Sequence, residues 1–245
     1  MDHAGTAIVL TSRPHGEHHA IVRFLDLQAG LLAGFVHGAR SRRRRADLVP
    51  GGRVRLALSR RPGADLPVAR IEAEASRALL AFDPSVGPIV AYLLECPARL
   101  LAEGDPCPEL AGALDGLLEA MLRGDAGWPR DFVRFEARLL AELGVGLDLA
   151  ACALTGSHDR LEFVSPRSGR AVSGPAAQGQ PWAHRLLRLP PFLRDPTSAE
   201  GDLVDGLRLT GHFLARHAWP LAPRLGPLRA RAVARLERHP AGAVR

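Results

Sequence analysis

The chain has 245 residues, 47% of them hydrophobic, with 32 basic and 26 acidic side chains for a net charge of +6. That is ample for one large or two small packed cores, and too apolar for a disordered basic tail. No run of eighteen apolar residues marks a membrane span, the amino terminus lacks the features of a secretory leader, and the dispersed Cys96, Cys107 and Cys152 fit no disulfide framework, so a cytoplasmic protein is expected.

Residues 4–75 read as strands. "GTAIVLTSR", "HAIVRFLD", "GLLAGFVHG", "GGRVRLALS" and "LPVARIEAEA" are short apolar or alternating runs, separated by Pro/Gly punctuation at "RPHGE", "LQAG", "LVPGG" and "RRPGAD". Five such strands suggest a small closed barrel, since closure removes exposed edges; an OB-fold leads and an SH3-like barrel is the alternative. From Asp83 the period becomes helical. Asp83 is the expected N-cap and Pro84 the first helical residue of "DPSVGPIVAYLLECPARLLAE". The next two helices place Leu110, Leu114, Leu117, Leu118 and Met121 on one face, and Phe132, Phe135, Leu139, Leu140 and Leu143 on another before a stop at Gly144. After Asp148 comes a turn-rich insert with one or two short strands, and helical patterns resume at "PWAHRLLRL", "SAEGDLVDGLRLTGHFLARH" and "GPLRARAVARLERH". The expected class is α+β: a five-stranded OB barrel over 1–77, then a helical bundle domain over 78–245 with the insert at about 148–180.

Charge is unevenly spread. Residues 1–76 hold 12 arginines against 7 acids, 77–195 hold 12 against 15, and 196–245 hold 8 against 4, with no lysine anywhere. Both basic ends raise the expectation of a polyanionic partner. The densest point is Arg40, Arg42, Arg43, Arg44 and Arg45, expected in the loop after the third strand, where guanidinium forks can meet phosphates without disturbing a core. Arg53 and Arg55, two apart in the next strand, share a face near that loop, Arg60 and Arg61 close its far end, and Arg13 ends the first strand. A second basic surface is expected from Arg208, Arg216, Arg224, Arg229 and Arg231. Phe24 and Phe35, the only aromatics before residue 80, are expected in the core, so binding should be to the phosphate backbone, weakly sequence-selective and steeply salt-dependent.

Other motifs carry less. "HGEHH" (His15, Glu17, His18, His19) lacks zincin spacing and reads as a polar hairpin turn; Ser157, His158 and Asp159 are adjacent, whereas triad members converge from separated positions. No phosphate-binding glycine loop, nucleophile elbow or carboxylate cluster occurs, so no enzyme, cofactor or metal is expected. The alternative to a DNA-binding role is an RNA-binding or ribosome-associated barrel using the same loop.

Three ordered stretches, "AIVLTSRPHGEHHAIVRFLDLQAGLLAGFVHGARS", "FVRFEARLLAELGVGLDLAACALTGSHDRLEFVSPRSGRAVS" and "LRLTGHFLARH", resemble the RecO family of recombination mediators across nearly the whole chain. The resemblance implies an amino-terminal OB-fold, a helical carboxy-terminal domain and a non-catalytic role in DNA repair. It further implies binding of single- and double-stranded DNA, strand annealing, partnership with RecR and the single-strand-binding protein, indirect action on RecA, and a nucleoid-associated location. Many members carry a four-cysteine zinc site in the insert. Here Cys152 keeps the first position, Thr155 and Ser173 stand where further cysteines would be, and the insert is expected to hold by strand pairing and apolar packing instead.

Overall fold

The computed structural model describes residues 3–60, 62–63 and 65–238. These form two compact units, one of residues 3–125 with 227–238 and the other of residues 126–226.

In the first unit, β1 (His3–His15), β2 (His19–Asp26), β3 (Gly30–Val36), β4 (Arg53–Ser59) and β5 (Val68–Ala75) close into a barrel of order β1-β2-β3-β5-β4. All pairings are antiparallel except β3 with β5, and β1 closes the ring on β4. This is the OB-fold, and the SH3-like alternative drops out. Alternate positions fill its interior: Ala7 and Val9 from β1, Ala20, Val22 and Phe24 from β2, Val54, Leu56 and Leu58 from β4, Ala69 and Ile71 from β5. The turn from β2 to β3 is tied by the buried Asp26, whose Oδ1 accepts the N–H groups of Gln28 and Ala29 at 2.9 Å each, while His3 Nε2 lies 2.8 Å from Oδ2. Gly30 follows at φ +78°, and a Cβ there would stand 1.8 Å from the Asp105 carbonyl oxygen, so the close approach of that loop demands glycine.

The run expected as a loop after β3 contains one short helix, α1 (Arg42–Asp47). After the barrel come α2 (Ala78–Ala81), α3 (Gly87–Leu100) and α4 (Pro108–Arg123). The expected cap at Asp83 is displaced. Asp83 Oδ1 accepts the Ser85 N–H at 2.6 Å in a turn of its own, and α3 begins at Gly87 with a proline in its first turn. Leu110, Leu114, Leu117, Leu118 and Met121 are all buried along α4. Arg23 on β2 donates to the Ala98 carbonyl and, at 3.0 Å, to Glu103, joining the barrel to the end of α3.

In the second unit, α5 (Trp128–Glu142) buries Phe132, Phe135, Leu139 and Leu140 and ends before Gly144, which takes φ +74°. The insert pairs β6 (Leu161–Val164) with β7 (Ala171–Ser173), and the single turn α6 (Gly174–Ala177) follows. "PWAHRLLRL" is not helical: a 3-10 turn at Ala183–Arg185 leads into β8 (Leu187–Arg188), which pairs with β6. α7 (Leu203–His217) packs on α5, where the Thr210 hydroxyl donates to the buried Glu136 carboxylate at 2.5 Å. The final helix, α8 (Leu225–Leu236), lies mostly in the first unit.

Candidate nucleic-acid interface

The arginine-rich segment is anchored at both ends. Ala39 and Leu48 flank it and are both part of the barrel core. Ser41 caps α1, its Oγ accepting the Arg44 N–H at 3.3 Å, and the Leu48 N–H closes the last turn on the Arg44 carbonyl at 3.1 Å. Arg44 itself is structural: its guanidinium donates to the Ile71 carbonyl on β5 at 2.9 Å and lies 3.6 Å from Asp47. Arg42, Arg43 and Arg45 are exposed, and among the described residues they make no ion pair. Two cations in the first turn oppose the helix dipole and each other, a cost that an anionic partner relieves. Arg40 folds this segment against the β1–β2 turn, donating from its backbone N–H to the His18 carbonyl at 3.3 Å and from its guanidinium to the Glu17 carbonyl at 3.2 Å.

A bulge decides what lies beside it. Ala7 and Val9 point into the barrel, but the β1–β2 register shifts between Val9 and Thr11. Beyond the shift Arg13 pairs with Ile21 and His15 with His19, residues on the outer side of β2. Without the extra residue, odd positions of β1 would continue inward; the bulge re-aims them to the surface. Ile21 also pairs with Phe35, so Phe35 is partly exposed on the outer face, while Phe24 is fully buried as expected. The core expectation for Phe35 is therefore corrected. Its ring lies 4.8 Å from His37, 5.1 Å from His19 and 5.6 Å from His15, centroid to centroid.

The remaining basic residues are divided. Arg53 pairs with Asp115 on α4, and Arg55, though exposed, sits 3.6 Å from both Glu72 and Glu74, so carboxylates already balance both. Arg60 is exposed one residue beyond Ser59, which pairs with Val68, itself the partner of Phe35. Arg61 lies outside the described residues. Of the second basic set, Arg208, Arg216 and Arg224 are exposed on the second unit and Arg231 on the first, but Arg229 is buried. Leu225, Arg229, Ala232 and Leu236 follow helical spacing and share the covered stripe of α8, which removes Arg229 from any exposed surface. Arg216 is turned to the Pro166 and Arg167 carbonyls at 3.2 and 3.4 Å. Sequence reasoning passed over Arg70, exposed on β5, and Arg77, which is buried.

A four-cysteine zinc site does not fit the insert. Cys152 is buried, with the Ser173 N–H 3.3 Å and the Ser173 hydroxyl 3.5 Å from its sulfur, and among the described residues no three His, Cys, Asp or Glu side chains are grouped to hold a metal. Burial raises the Cys152 pKa, but the hydrogen bonds from Ser173, Thr155 and the Leu154 N–H together outweigh it and bring the thiol from its ordinary value of 9.0 to about 6. The unfolded chain then binds the proton more tightly, so thiolate stabilisation is complete above about pH 9, declines as pH falls and is lost below about pH 6. Urea titrations at pH 6 and pH 9 should show a gain in stability at the higher pH that Cys152→Ala lacks; equal pH dependence in both proteins would contradict the thiolate assignment.

No helix among the described residues is long and apolar enough to cross a membrane. Family models for the amino-terminal and carboxy-terminal parts of recombination protein O match residues 1–73 and 85–222. Relatives named DNA repair protein RecO include one from Paracoccus denitrificans, 43% identical over 99% of this chain and 100% of its own. Another from a Bradyrhizobium species is 43% identical over 91% of this chain and 90% of its own, and one from Phenylobacterium zucineum is 42% identical over 94% and 95%. With both family models matched in order on an OB barrel and the helical region that follows it, the chain belongs to the RecO family of DNA repair and recombination proteins.

Proposed function

We propose that this chain is a recombination mediator that binds single- and double-stranded DNA through backbone phosphates, anneals complementary strands, and with RecR helps load RecA onto strands coated by single-strand-binding protein. The observation that carries the reading is the trio Arg42, Arg43 and Arg45, exposed and with no ion pair among the described residues, on a helix whose flanking residues Ala39 and Leu48 are fixed in the barrel core. Arg13, Arg40 and Arg60 extend the track; Arg53 and Arg55, already balanced by carboxylates, contribute less. Arg61 joins the proposed set from its position in sequence alone.

Annealing has a direct physical account. Two strands repel through their phosphates, and a surface that neutralises both lets them meet while base pairing supplies the net free energy. No covalent bond changes in that step, and the proposed role is not enzymatic. The test is annealing of complementary oligonucleotides precoated with single-strand-binding protein, with and without the full chain at low salt. Acceleration that fades as salt rises is the expected result. No acceleration, together with tighter binding to structured RNA than to single-stranded DNA, would overturn the reading.

A further inference from the structure

Aromatic residues make up 5% of the chain, and only Phe24 and Phe35 precede residue 80. Yet the outer face of β1, β2 and β3 carries a continuous group of rings. Phe35 stands at its centre, His15 and His37 meet it edge to face at 5.6 and 4.8 Å, and His19 lies 5.1 Å from Phe35 and 5.2 Å from His37. The Gly38 N–H donates to His19 Nδ1 at 3.3 Å and fixes that ring. Cross-strand rings can serve a sheet as packing alone. Two observations point outward instead: His15 and His37 are exposed, and cations border the group. Arg13 shares the outer row through Ile21, and Arg40 is bonded to the turn that carries His18.

We propose that the Phe35, His37, His15 and His19 cluster is a stacking platform for unpaired nucleobases, with Arg13 and Arg40 holding the phosphates that flank the stacked base. This rests on the DNA-binding reading above and deepens it. Flat rings offer a face to any base without hydrogen-bond readout, so the platform accepts all sequences. A duplex keeps its bases stacked on one another and has none to give, so the platform favours single strands, while the arginines of α1 act on both.

The test compares three fluorescent 30-nucleotide ligands by anisotropy at one fixed low salt concentration: oligothymidylate, an abasic strand of equal charge, and a duplex. The full chain should bind oligothymidylate about tenfold more tightly than the abasic strand. His37→Ala and Phe35→Ala should each remove most of that preference and leave abasic-strand binding unchanged. Phe35→Ala opens a partly packed position, so the exposed His37 provides the cleaner pair: His37→Phe should restore or strengthen the preference, because stacking needs a ring and not a ring nitrogen. Equal binding of the base-bearing and abasic strands by the wild type would overturn the platform and leave the phosphate-binding reading standing. A preference lost equally in His37→Ala and His37→Phe would overturn it too. Binding to none of the three ligands would overturn the proposed function, and the platform with it.

Discussion

Replacing Arg77 with methionine should lower the melting temperature of the first unit by roughly 10 °C, from a loss of about 3 to 5 kcal/mol. Arg77 is a buried cation of this unit, only 1% exposed. Its guanidinium donates to the Gly51 carbonyl at 2.9 Å, to Asp115 Oδ1 at 2.6 Å and to Glu119 Oε1 at 2.6 Å, joining the turn before β4 to α4. Methionine fills much of the same volume but leaves a buried carbonyl without its donor and two carboxylates without their main counter-charge. The desolvation cost of those groups, more than the lost attraction, sets the size of the effect. Asp115 retains Arg53, and Glu119 is partly exposed, which places the expected loss nearer the lower figure.

Arg53→Ala should cost much less, about 1 kcal/mol, since Asp115 then keeps Arg77. Adding Glu119→Gln to the methionine variant should recover part of the loss, because Asp115 keeps Arg53 and no carboxylate of the network is then left without a cation. A methionine variant that melts at the wild-type temperature would show the network to be energetically idle.

Arg77 also shows where a single sequence stops being informative. Its partners lie 26, 38 and 42 residues away, and nothing in "ASRALLAFDP" distinguishes it from an arginine in water. The barrel strands were legible for the opposite reason: alternation and turn residues are local signals, and β2 runs over the very residues, His19–Asp26, that alternation outlines. Phe35 was misplaced because β3 carries apolar residues on both faces. Leu31 is buried on the outer side while Gly34 and Val36 are buried on the inner, so only pairing with β2 decides which way the ring points. The bulge in β1 is invisible in "IVLTSRPH" for the same reason. "PWAHRLLRL" has apolar residues at helical spacing, but it begins with a proline and its Leu187 and Arg188 satisfy their backbone groups on β6. The arginine run was legible as a cationic feature, and its division was not: Arg44 is held by β5, and its three neighbours are left to solvent.

That division gives the second large effect. Replacing Arg42, Arg43 and Arg45 together with alanine, while keeping Arg44, should weaken DNA binding and flatten its dependence on salt, with no loss of melting temperature. Each phosphate contact contributes about 0.7 to the slope of log affinity against log salt for a single strand. Losing three contacts therefore lowers the slope by about 2, and between 50 and 200 mM salt the variant should lose roughly 20-fold less affinity than the wild type loses. Stability should hold or rise slightly, because these side chains are exposed, make no ion pair among the described residues, and repel one another at the start of α1. Alanine also favours the helix intrinsically. Arg44→Ala is the informative contrast: it removes the bond to the Ile71 carbonyl, so it should loosen α1 and lower the melting temperature even though it deletes only one charge. Should the triple variant keep the full salt slope, the phosphate track lies elsewhere on the molecule and α1 is not part of it. Should it unfold, the run is structural, and the cost of gathering five arginines in six positions has some other compensation within the fold.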